Sequence, residues 1–158
     1  MLLIANGCSH TAGAEIEYAM QGQCYDKAWP HKLADINGWK SKNLAISGAS
    51  DTRVSRTTIE YLYKLKQMDN FDSSKIFVII SWPGLYRTEI HNITPNEAGF
   101  WDNDKWMPLV AGNDEVYKKQ CSKSSYAYYR AWMMRLNPVQ DTIKFYSNVL
   151  LLQNILVA

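Results

Sequence analysis

With 158 residues, 47% of them apolar, the chain can bury the core of one ordinary domain, which excludes disordered, collagenous and fibrous readings. Seventeen basic residues stand against 15 acidic ones, nine against eight up to residue 79 and eight against seven after it, so no basic arm points to nucleic acid. The longest apolar runs, Met1 to Ala5 and Val149 to Leu152, fall far short of the roughly 20 residues a bilayer demands, and no basic start with a long apolar stretch signals export, so a cytoplasmic protein without a membrane partner is expected.

The run Leu2-Leu3-Ile4-Ala5 ends in Asn6-Gly7 and predicts a first strand buried on both faces. From Asp26 a capping residue, Pro30 in the first turn, Trp29, Leu33 and Ile36 at helical spacing and Gly38 as a stop predict a first helix. Asn43-Leu44-Ala45-Ile46 is a second short apolar run, opening into the small-residue loop Ser47-Gly48-Ala49-Ser50. With Ser50 or Asp51 as cap, Val54, Thr58, Leu62 and Leu65 recur every three or four residues and predict a helix to about Met68. Lys75 to Ser81 is the most β-branched stretch and reads as a third, central parallel strand.

Strand, helix, strand, helix, strand with right-handed crossovers predicts an α/β protein. The expected form is a three-layer, flavodoxin-like parallel sheet, incomplete at its carboxyl end, in a single domain over 1–158. Ligands of such sheets sit beyond the carboxyl ends of the strands, so the loops after Ala5, Ile46 and Ile80 should converge. Residues 91–124 lose periodicity and predict a long excursion with a small hairpin around Trp101 and Trp106. Helices follow from about Ser125 to Leu136 and from Val139 onward, with Pro138 starting the second.

Three cysteines at wide spacing, with no Cys-x-x-Cys pair, read as reduced thiols and give no metal site. Six Trp and ten Tyr imply a thick aromatic core ahead of a sugar-stacking cleft or a partner surface. Gly7 and Gly13 evoke a phosphate loop, but no Gly-Lys-Ser/Thr follows, so neither a nucleotide nor another cofactor is expected.

Ser9, set among small residues after the first strand, can expose its hydroxyl to the cleft, and its own amide and that of Gly48 can face one oxyanion. These pieces resemble the SGNH, or GDSL, hydrolase family of esterases. Gly7-Cys8-Ser9-His10 is similar to the family's Gly-Asp-Ser-Leu block, and Ala28-Trp29-Pro30 with Leu33 to the helix after it. Asn43 to Ser50 is similar to the second block, about 39 residues on. The resemblance covers roughly residues 1–90 and implies Ser9 as nucleophile and Gly48 as oxyanion donor in hydrolysis of a carboxylic ester, an acyl ester or an O-acetylated saccharide.

Two blocks depart from that family. Pro83, within Ser81-Trp82-Pro83-Gly84, replaces the oxyanion asparagine and has no amide hydrogen, a loss on the order of 100- to 1000-fold in rate. The Trp82 indole and the Arg87 guanidinium are the candidates to fill in. A literal Gly112-Asn113-Asp114 reads as a turn.

The Asp-x-x-His block that would supply the base is missing, because Gly7, Ala28 and Thr88 stand three residues before His10, His31 and His91. His10 is expected to line the cleft, His31 to be a solvated surface group, and His91 to lie in the loop after the third strand. The chain therefore reads as the front of a longer frame that holds the base. The alternative is a non-catalytic module in which Trp82 and Arg87 hold a glycan or small carboxylate.

Overall fold

The computed structural model describes residues 1–14, 16, 25–91 and 106–157. Three strands, β1 (Leu2–Asn6), β2 (Lys40–Asn43) and β3 (Ile76–Ile80), form a parallel sheet in the order β2-β1-β3. Leu2 lies opposite Lys40 on one side and Ile76 on the other. With neighbours along both edges and helices against it, β1 buries Leu3, Ile4 and Ala5 completely, as a continuous apolar run requires.

The expected central place of the third strand is corrected. β3 pairs with β1, and among the described residues nothing pairs along its other edge; Phe77 is exposed on the sheet face, its ring edge-on to Trp39 at 5.8 Å. Hydrophobicity selected the right residues, but the position within the sheet is set by pairing, which composition does not encode.

β2 also starts three residues earlier than its apolar run suggests. The ladder begins where Lys40 N–H donates to Met1 O at 3.0 Å and runs through Leu44 N–H to Ala5 O at 2.8 Å. Lys-Ser-Lys-Asn suits a solvent-facing edge, where charge discourages further pairing. Ala45 and Ile46 leave the sheet and turn inward.

Helix α1 (Ser9–Ala12) is a single turn, and α2 (Trp29–Ile36) carries Pro30 in its first turn and packs on β2 and β1. Asp26 lies in a short 3-10 turn, so the cap of α2 is Ala28, whereas Gly38, at φ 64, is the stop expected. Helix α3 (Asp51–Lys66) begins where the Ser50 hydroxyl accepts Arg53 N–H at 3.1 Å. Its Val54 and Thr58 are fully buried.

The predicted excursion is more regular than its composition implies. β4 (Arg87–His91) and β5 (Trp106–Val110) form an antiparallel hairpin from Arg87 opposite Val110 to His91 opposite Trp106, so a strand lies at Trp106 as expected. Trp101 falls outside the described residues. Helices α4 (Asp114–Gln120), α5 (Lys123–Met133) and α6 (Pro138–Val157) follow, α6 opening on its proline. Gly112, at φ 88, and Asn113 form the turn into α4.

Met107, Leu109, Tyr117 and Tyr129 make a second core under the hairpin, with the Tyr117 and Tyr129 rings stacked 4.3 Å apart. That accounts for part of the aromatic content. The Tyr126–Arg135 stretch gives Tyr129 to this core and leaves Tyr128 exposed. Among the described residues no helix is long and apolar enough to cross a membrane, and no group of three His, Cys, Asp or Glu could hold a metal ion.

Candidate functional site at the carboxyl rim of the sheet

The exit from β1 is fixed by Asn6, which is fully buried. Its amide oxygen accepts Gly7 N–H at 2.8 Å, and its Nδ2 faces Val54 O, Thr57 Oγ1 and Thr58 Oγ1 of α3 at 3.1, 2.8 and 2.9 Å. The end of the strand is thus tied to the helix that crosses it. Gly7 is needed next, since an added Cβ would lie 2.5 Å from Thr11 Oγ1 and 2.8 Å from the Ser81 carbonyl.

The chain then turns into α1, where Cys8 is buried, Ser9 half-buried and His10 exposed. Gly13, at φ 79, ends that turn. Asn43 holds α1 against the second loop, donating to Thr11 O at 2.7 Å and accepting Ala45 N–H at 3.1 Å.

The three strand-end loops do converge. Cys8 from the first, Ala49 and Ile46 from the second, and Ile80 and Trp82 from the third share one apolar cluster with Val54. Ser9 and Gly48 each sit one residue from a member of it. Gly48 adopts φ 76, and a Cβ on it would face Val110 Cγ2 at 3.5 Å, so the hairpin closes over this loop. Trp82 stands edge-on to Phe145 of α6 at 5.7 Å. Arg87, opening β4, donates from Nη1 to the Ala49 carbonyl at 3.4 Å.

Arg87 is half-buried, and among the described residues no carboxylate pairs with it. The other arginine of the hairpin side, Arg56, is bound through both arms to Glu89. The rim therefore carries one guanidinium whose charge is not balanced by an acid among the described residues.

Ser9, Gly48, Trp82 and Arg87 are thus gathered at one end of the sheet, while His10 points to the surface of α1. His31, expected in solvent, is half-buried on α2 with Nδ1 on the Ser41 hydroxyl, and exposed His91 ends β4 with its ring edge-on to Trp106 at 5.2 Å. Sequence reading missed Asn6 and Asn43, taken as turn and strand-start residues. It also missed buried Asp51, whose carboxylate accepts Asn148 Nδ2 at 2.6 Å. The one visible trace was Asn6 following a buried run that the Thr57-Thr58 pair of a later helix could meet.

Residues 15–158 match a family described as a family of unknown function, DUF6071. The chain belongs to the DUF6071 family. This match corrects the resemblance to SGNH hydrolases, because the Ala28-Trp29-Pro30 helix and the second block, Asn43 to Ser50, on which it rested lie inside the DUF6071 match, and nothing in that match indicates the hydrolase family. The physical reason is the looseness of the motifs: a small-residue turn holding a serine after a buried strand serves the close packing of Gly7 on Ser81 as well as it would serve a nucleophile. No curated protein and no solved structure matches this DUF6071 member significantly.

Proposed function

We propose that the carboxyl rim of the sheet is a receptor for a small carboxylate-bearing ligand, including acidic saccharides, with Arg87 as its anchor. The observation that carries this reading is the half-buried Arg87 guanidinium, held by one bond to the Ala49 carbonyl and facing no acid among the described residues. A partly desolvated cation without a counter-charge is costly, and a planar guanidinium matches a carboxylate through two parallel hydrogen bonds. Trp82 supplies an apolar wall, and the Ser9 hydroxyl and the small-residue loop at Gly48 supply short polar reach. The β2-β1-β3 order also supports treating the sheet as the start of a doubly wound, flavodoxin-like layer, whose ligands lie at this end.

A second reading, in which Ser9 attacks an ester held there, is favoured by its half-open position at the strand end. It needs a base, and His31 and His91 are engaged elsewhere, on Ser41 and Trp106.

Calorimetric titration with a panel of small carboxylates and uronic acids tests the first reading. Wild type should bind at least one member, Arg87→Lys should bind it at least about 10-fold more weakly, and Arg87→Ala should lose it. Equal binding by Arg87→Ala sinks the proposal. Fluorophosphonate labelling that disappears in Ser9→Ala would instead promote the hydrolytic reading.

A further inference from the structure

Helix α6 is turned so that Leu152, Asn148 and Phe145 face α3 and Trp82. Its opposite face is apolar and open. Val139, Ile143, Tyr146, Leu150 and Val157 are 67, 61, 60, 57 and 78% exposed. With Gln153 between the last two, they recur at alternating steps of four and three residues, the spacing of a helix-pairing seam.

We infer that this seam is the contact between two copies of the chain, α6 against α6 in parallel about a two-fold axis. The charges select the partner. The seam itself has no charged residue, so an acidic or basic peptide would find nothing to pair with. A membrane-surface helix would carry basic residues on its polar side, yet α6 has the single Lys144, which donates to Thr88 Oγ1 at 3.1 Å.

Self-pairing places apolar on apolar and sets Gln153 opposite its own copy. There two amides exchange hydrogen bonds and fix register, as a lone polar residue does in paired helices. Every apolar side chain of the seam is more than half exposed in the single chain, so pairing two seams hides surface near the lower limit of a specific interface.

The test is sedimentation of the whole chain with and without changes in the seam. At about 50 µM, wild type should sediment as a dimer of the 18.2 kDa chain. Ile143→Glu and Leu150→Gln should each be monomeric with unchanged helical circular dichroism, while Tyr128→Glu, on exposed α5 surface, should stay dimeric. A monomeric wild type, a dimer that survives both seam substitutions, or a monomer that co-sediments with anionic vesicles overturns the inference.

Discussion

Arg56 of α3 grips Glu89 of β4 with two parallel hydrogen bonds, Nε to Oε1 at 2.9 Å and Nη2 to Oε2 at 3.0 Å, and lays its guanidinium on the Trp106 ring 4.7 Å away. The Glu89 side chain is 1% exposed, so this pair joins the parallel sheet's crossover helix to the hairpin in a dry setting.

Removing one partner leaves the other charge buried. Arg56→Ala is expected to cost about 3 to 5 kcal/mol in urea unfolding. Replacing both together, as Arg56→Met with Glu89→Leu, should recover most of that loss, because the desolvation penalty goes with the pair. A double variant no more stable than Arg56→Ala would show that the hairpin is not held at this point.

Asn6→Ala should be more damaging than its small volume change implies. It strips the Gly7 N–H of its acceptor inside the core and leaves space against Thr57 and Thr58, for a loss of about 3 kcal/mol. Thermal unfolding checks this. A shift of less than a degree or two in Tm would remove Asn6 from its role as the tie between β1 and α3.

Two glycines of the rim should fail for different reasons. Gly7→Ala meets Ser81 backbone at 2.8 Å and should cost about 1 to 3 kcal/mol through overpacking. Gly48→Ala has ordinary contact distance to Val110 but must hold φ 76, for about 1 kcal/mol. A Gly48→Asn variant, which tolerates that backbone region, should lose less than Gly48→Ala. The reverse order would contradict the strain account.

Burial pushes the Tyr117 phenol up to about 12, from an ordinary value of 10.0. Its hydroxyl donates to Pro108 O at 2.8 Å and accepts Val110 N–H at 3.0 Å, bracing β5. Since the folded protein holds this proton more tightly, its contribution is intact below pH 10 and drains away as pH rises toward 12. The drop should be about 2 kcal/mol. Urea melts at pH 8 and pH 11.5 should show it in wild type and show a smaller drop in Tyr117→Phe.

What the residues disclosed beforehand follows from range. Most local signals did well: a cap at Ser50 or Asp51, Gly38 as stop and Pro138 as helix start each act within a turn, and the structure has Ser50, Gly38 and Pro138 in those roles, though Asp26 gave way to Ala28 as cap. The convergence of the loops after β1, β2 and β3 was also legible, because parallel crossovers leave few alternatives.

The place of β3 was not, since Ile76–Ile80 reads the same at an edge as in the middle. Nor were the pairings of Arg56 with Glu89 or Asp51 with Asn148, which span 33 and 97 residues and have no local pattern. At the rim, Ser9 and Arg87 both drew attention through the motif blocks, whereas the bond of Arg87 to the Ala49 carbonyl and the lack of an acid on it among the described residues are seen only in the geometry.

The β2-β1-β3 order bears on how the molecule is made. The middle strand leaves the ribosome first, yet its partners sit around residues 40 and 76. At about 5 to 20 residues per second, the strand that ends up most deeply buried in the sheet waits several seconds, unprotected, until Ile76–Ile80 arrives. Nascent chains stalled before β3 should therefore be avid clients of holding chaperones, and those stalled well after it should not.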